Sequence, residues 1–367
     1  MLALPLLSTA ARAPLQRQPD AAGTPPSLLL FYHVPKTGGT TLREWLFKNA
    51  GIRSPGLRRR LHGFIRYYEA NCFMCLQFAS VLGGVHPLQC TNKERHGCAR
   101  QFNTTKTRPA GINPLTANWR HAGRVAVEFH GPTERLFTDA ILPRADALRR
   151  LYERHGGTCT LLTLSREPVD LLFSTFHMWP PRPKGNDFVV PFPAYAQTAR
   201  GLLTASFDRA ACRVSSLESG TFNNCACDAR SAERAIAALR RFDYVGLTAC
   251  LRPYVFSVVE ALLGFPPEAS AADALRRQSK MGNASNGLIH AQPTCNDCSP
   301  AAQKRHRVWS WEGLNASERA QLRGLIAQCD DATYAESSRL AAGLMANASN
   351  ASECVRAEVA RHWARTP

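Results

Sequence analysis

A buried strand that runs through a glycine turn into a helix is the feature that most limits what this chain can become. The apolar run Leu28, Leu29, Leu30, Phe31 and Tyr32 leads into His33-Val34-Pro35-Lys36-Thr37-Gly38-Gly39-Thr40-Thr41, and the amphipathic stretch with Leu42, Trp45 and Leu46 follows. That order reads as strand, tight turn and helix. A glycine turn opening a helix aims several backbone N–H groups at one point and adds the positive end of the helix dipole. Lys36 adds a charge there, and Thr37, Thr40 and Thr41 add hydroxyls. The turn is therefore read as a cradle for a phosphate-like anion, formed by Pro35, Lys36, Thr37, Gly38, Gly39, Thr40 and Thr41. The alternative is a close-packed glycine turn with Lys36 in solvent.

The turn departs from the nucleoside-triphosphate loop, in which lysine follows the last glycine. Here Lys36 precedes both glycines. The run Pro-Lys-Thr-Gly-Gly-Thr-Thr resembles the 5′-phosphosulfate loop of sulfotransferases that use 3′-phosphoadenosine 5′-phosphosulfate. Within that family it is most similar to the Golgi carbohydrate group that includes the heparan sulfate 2-O- and 6-O-sulfotransferases.

Three further segments extend the resemblance. Residues 159–165 read as a buried strand that delivers Arg166-Glu167-Pro168, with Pro168 suited to the first turn of a helix and Ser174 eight residues after Arg166. The resemblance assigns Arg166 and Ser174 to the 3′-phosphate, and a guanidinium can grip phosphate through two N–H groups. The alternative for Arg166 is a surface pair with Glu167 or Asp170. Many relatives carry a second arginine where Leu171 stands. Residues 125–130 alternate like a strand and end in His130-Gly131-Pro132. The resemblance puts a general base at His130, which suits a residue whose unperturbed pKa lies near neutrality. Glu128 shares a strand face with His130 and is read either as orienting its imidazole or as the base itself. Residues 242–248, with the helix after them, and Asp330-Asp331-Ala332-Thr333-Tyr334 resemble later elements of the same family. Lys280-Met281-Gly282 is assigned to a loop closing over the donor, with a plain surface turn as the alternative.

The expected fold is α/β: a P-loop-like, three-layer domain with a central parallel sheet, helices on both faces and disulfide-containing loop insertions. Its expected limits are residues 28–345, with insertions at about 50–124, 180–230 and 266–312. Residues 1–27 are read as a leader or stem remnant, and 346–367 as a C-terminal tail. The thirteen cysteines include Cys72-x-x-Cys75 and Cys295-x-x-Cys298, a spacing open to zinc. Five Asn-x-Ser/Thr sequons, at Asn103, Asn283, Asn315, Asn347 and Asn350, favour the secretory pathway instead, where cysteines form disulfides. The odd count leaves at least one thiol unpaired. Asn315 with Glu318 also reads as a helix capping box, which a glycan on the amide is expected to disturb.

The expected activity is sulfuryl transfer from 3′-phosphoadenosine 5′-phosphosulfate to a hydroxyl of an acidic polysaccharide or glycan, with no metal. Lys36, His130 and Glu128 are the expected catalytic residues. A non-catalytic glycan-binding relative, a P-loop nucleotide kinase and a protein tyrosine sulfotransferase are the alternatives. The net charge of +17, from 45 basic and 28 acidic residues, suits an acidic polymer, although an arginine-rich and alanine-rich composition explains it equally well. No base-reading motif points to nucleic acid. No membrane span is visible. The resemblance implies the Golgi lumen and a type II anchor upstream of this sequence.

Overall fold

Strand β1 (Ser27–Tyr32) is buried from Leu28 onward on successive residues. Side chains alternate between the faces of a strand, so both faces of the sheet are covered at this point. The computed structural model describes residues 27–49, 66–69, 124–130, 134, 137–154, 156–178, 191–208, 227–251, 255, 258, 259, 262, 309–345 and 349–365. They form a mixed α/β domain on a five-stranded sheet in the order β2-β3-β1-β4-β5. The other strands are β2 (Arg66–Glu69), β3 (Arg124–Phe129), β4 (Thr158–Ser165) and β5 (Tyr244–Leu247), and every pairing is parallel.

The described α-helices are α1 (Gly39–Asn49), α2 (Ala145–Arg154), α3 (Pro168–Met178), α4 (Phe192–Thr198), α5 (Leu202–Phe207), α6 (Ala229–Leu239), α7 (Ala316–Ala327), α8 (Asp330–Met345) and α9 (Ser349–Ala364). The chain leaves β1 toward β3 on one side and later returns to β4 on the other. In open parallel sheets such a reversal opens a crevice beyond the strand C-termini. The register places one residue past each strand at that crevice: His130, His33, Arg166 and Thr248 follow β3, β1, β4 and β5.

Beneath the crevice lies an aromatic core. Tyr32 stacks on Phe137 at 4.8 Å and meets Phe207 and Phe242, while its hydroxyl donates to the Ser206 carbonyl. Each such ring buries about 150–250 Å², so this cluster sets the floor against which the strand ends are held.

Two disulfides join distant parts of the chain, Cys227–Cys329 and Cys250–Cys354. Cys159 is buried in β4 with a free thiol, and burial pushes its pKa up, as expected of a packing residue. Both Cys-x-x-Cys pairs lie outside the described residues. The stretch beyond residue 345, read from sequence as a tail, carries α9, which packs on α8 and is bonded to Cys250. Asn315 does cap α7: its Oδ1 accepts from Glu318 N at 2.9 Å, and Glu318 Oε2 accepts from Asn315 N at 2.9 Å. The cap uses the side-chain oxygen, whereas a glycan would join Nδ2. Among the described residues no helix is long and apolar enough to cross a membrane.

Candidate functional site

The turn after β1 is built as the sequence led us to expect, and it is held from outside by two other strand ends. Lys36 has φ 64° and Gly38 has φ 85°, so the chain enters the left-handed region twice within three residues. Glycine adopts this region freely, whereas a lysine there is held by its surroundings. Those surroundings are specific. Arg166 Nη1 donates to the Lys36 carbonyl at 2.9 Å. The Thr248 hydroxyl lies 2.6 Å from the Thr37 carbonyl and 3.0 Å from that of Ser165, sharing its proton between them. Buried Thr37 turns its own hydroxyl back onto the Val34 carbonyl at 2.7 Å, so this hydroxyl, expected among the donors of the cradle, is already committed to the turn itself. With the carbonyls of Lys36 and Thr37 drawn toward β4 and β5, Gly38 opens α1 by accepting from Thr41 N and Leu42 N. The N–H groups of Gly39 and Thr40 then belong to the first turn, where no helical partner exists.

Burial lowers the pKa of Lys36, and the neighbouring Arg166 cation lowers it further. Burial likewise lowers that of Arg166, partly offset by Asp170 and Glu167. Two cations pressed together at the positive end of a helix form a site whose electrostatic cost an anion relieves.

Glu167 and Asp170 do not form surface pairs with Arg166. Glu167 is fully buried and receives His362 Nδ1 at 2.9 Å and Arg365 Nη1 at 3.0 Å. Asp170 receives Arg361 Nη2 at 2.7 Å and Arg365 Nη1 at 2.9 Å. Burial would raise the pKa of Asp170, but the two arginines outweigh it and hold the carboxyl below its usual range. The acidic residues of the Arg166 motif thus dock α9. Ser174 is half-buried on α3, one turn beyond Asp170.

On the other side of β1, His130 stands at the crevice with its side chain 29% exposed. Its Nδ1 is 3.4 Å from the His33 carbonyl and 3.8 Å from Glu134 Oε1. Glu128 meets a different imidazole from the one sequence reasoning gave it. Its Oε1 is 2.5 Å from His33 Nδ1, and both side chains are 2% exposed. The His33 ring stacks on His130, with centroids 4.0 Å apart and planes 15° from parallel. His33 is the residue that the sequence reading passed over. The signal was present, because Phe31 pairs with Glu128, and two residues further along each parallel strand His33 and His130 share that face.

The expected residues Pro35, Lys36, Thr37, Gly38, Gly39, Thr40, Thr41, Glu128, His130 and Arg166 thus gather at the ends of β1, β3 and β4. Lys280 lies outside the described residues, as do Gly131 and Pro132. Among the described residues, no group of three or more histidine, cysteine, aspartate or glutamate side chains is placed to hold a metal. An open groove of about 420 Å³ between α8 and α9, lined by Tyr334, Val355, Val359 and Trp363 among others, has none of these strand-end residues in its walls. No protein-family model, curated protein or solved structure matches the chain.

Proposed function

We propose that this protein transfers a sulfuryl group from 3′-phosphoadenosine 5′-phosphosulfate to a hydroxyl of an acidic polysaccharide or glycan, on a P-loop-like, three-layer fold. The observation that carries the reading is the bond from Arg166 to the Lys36 carbonyl. A donor phosphorylated at both ends of one nucleoside needs two anion pockets within a nucleotide's span, and this bond joins the two candidate pockets directly.

In this reading the N–H groups at the start of α1 hold the 5′-phosphate, and the remaining N–H groups of Arg166, with Ser174, hold the 3′-phosphate. The acceptor oxygen attacks sulfur and forms the new S–O bond. The bond from sulfur to the 5′-phosphate oxygen breaks, and its electron pair leaves on that oxygen, where the Lys36 ammonium offsets the growing charge. His130, the more exposed of the two stacked imidazoles, takes the acceptor proton. A base of this kind contributes about 10²–10⁴ in rate. The two disulfides and the sequons support an oxidising lumen, and we assign the Golgi on the resemblance.

The test is incubation of purified protein with donor carrying radiolabelled sulfate and a panel of desulfated polysaccharides, followed by linkage analysis. We expect label in at least one polymer, lost in Lys36→Ala and cut by about 10²–10⁴-fold in His130→Ala. If no acceptor is labelled and calorimetry finds no binding of 3′,5′-adenosine bisphosphate, the reading is wrong.

A further inference from the structure

His33 touches three parts of the candidate site at once. Its Nδ1 is bound by Glu128, one face of its ring covers His130, and its Cδ2–Nε2 edge fills the space that a side chain at Gly39 would occupy. Gly39 is the first residue of α1, the helix that opens the anion cradle. A Cβ on residue 39 would collide with the imidazole, so a glycine at this position lets the ring and the helix approach this closely.

These contacts divide labour between residues that look alike in sequence. At 2% exposure the Glu128 carboxylate is out of reach of an acceptor hydroxyl in the crevice, whereas His130 is open to it. The carboxylate on Nδ1 fixes the His33 tautomer with the proton on Nδ1, and it fixes the plane of the ring. The stack then passes that plane on to His130. Phe31 also stacks on His33, with centroids 5.5 Å apart and planes 10° from parallel, so the ring has two near-parallel aromatic neighbours.

We propose that His33 is the positioning residue that sets the general base against the donor cradle, and that Glu128 acts on catalysis through His33 and not by contact with the acceptor. The inference rests on the sulfuryl-transfer reading, in which His130 is the base. A shift of about 1 Å in a catalytic group can cost about 10²-fold in rate, and the His33 ring is the spacer between base and cradle.

The experiment is a double-mutant cycle of Glu128→Gln with His130→Ala, read as kcat and as KM for the donor, with melting temperatures as a fold control. Alone, Glu128→Gln should lower kcat by about 10²-fold with little change in KM. In the His130→Ala background it should lower the residual rate no further. An equal loss in both backgrounds overturns the proposal, since Glu128 and His33 would then act independently of His130. A second measurement needs no activity: in ¹⁵N imidazole spectra, Glu128→Gln and Gly39→Ala should each move the His130 resonances as well as those of His33. Unmoved His130 resonances overturn the coupling. Absence of sulfuryl transfer by the wild-type protein is a separate result, which removes the functional reading and leaves the spectra to judge the coupling.

Discussion

Arg166 Nη1 and the Lys36 carbonyl oxygen are 2.9 Å apart, so the end of β4 and the turn after β1 form one unit. A guanidinium can hold that carbonyl and still present other N–H groups to a phosphate, while an ammonium lacks the fork to do both in a fixed geometry. Arg166→Lys should therefore weaken binding of 3′,5′-adenosine bisphosphate by about 1.5–3 kcal/mol, the range for a hydrogen bond to a charged group. Titration calorimetry measures this, and an unchanged affinity would take Arg166 out of the site.

Lys36 adds a pH dependence of known sign. Its pKa is lowered, first by burial and then by Arg166. The protonated form binds the anion, so affinity should begin to fall with rising pH before an ordinary lysine would lose its charge. Lys36→Arg keeps the charge at all accessible pH values and should flatten that part of the profile. Parallel profiles for the two proteins, measured by calorimetry at several pH values, would assign the titration to another group.

These two residues were legible in the sequence for a plain reason. The runs before them are rich in apolar and β-branched residues, and they became β1 and β4, buried over most of their length. What lay outside sequence reasoning depended on register and topology. Glu128 was matched with His130 because they alternate on one strand, but its partner His33 belongs to the neighbouring strand and is found only once β1 and β3 are aligned. Helix α9 is only half apolar and has no clear apolar stripe, and its place is set by charge pairing with Glu167 and Asp170, by Cys354 and by buried Val355. The disulfide partners are more than a hundred residues apart, at separations of 102 and 104, a distance at which spacing carries no information.

His362 makes the docking of α9 sensitive to pH. It is 1% exposed, with Nδ1 2.9 Å from Glu167 and Nε2 3.2 Å from Asp331. Arg323, Arg365 and Tyr334 also surround it or its carboxylate partners. Burial alone would lower its pKa, but the bonds and charges of Asp331 and Glu167 outweigh burial and the net shift is upward. A folded-state pKa above the unfolded value means that the stabilisation is complete below about pH 6.5, the ordinary histidine value, and is lost as pH rises through the folded value. Wild type should therefore gain more stability over His362→Gln at pH about 5.5 than at pH about 8.5. Calorimetric melting at the two pH values checks this: an equal gap would mean that folding leaves the His362 pKa unshifted, and a smaller gap at acid pH that burial holds the imidazole neutral.

Asn315 separates capping from glycosylation. Its Oδ1 caps α7 and its Nδ2 is the atom a glycan would join. Asn315→Ser removes the glycan acceptor and keeps a capping oxygen; Asn315→Ala removes both. Loss of the cap should cost about 1 kcal/mol, so only the alanine variant should unfold at lower urea concentration. Equal losses in the two variants would give the stabilisation to the glycan or to another feature of the asparagine.

The two disulfides should differ in what their loss does to ligand binding. Cys250–Cys354 ties α9 to the turn that begins at Thr248, whose hydroxyl reaches the Thr37 carbonyl in the anion turn. Cys227–Cys329 joins the start of α6 to the residue before α8, and both of its sulfurs lie against Gly201. Losing either bond by paired substitution to alanine should cost about 2–5 kcal/mol of stability, read by urea unfolding. The Cys250→Ala, Cys354→Ala protein should also bind 3′,5′-adenosine bisphosphate more weakly while still folded, because the Thr248 tether moves with the turn. The Cys227→Ala, Cys329→Ala protein should keep wild-type affinity. If both pairs of substitutions changed affinity alike, the effect would be a general loosening of the domain, and the Thr248 tether would have no separate part in shaping the turn.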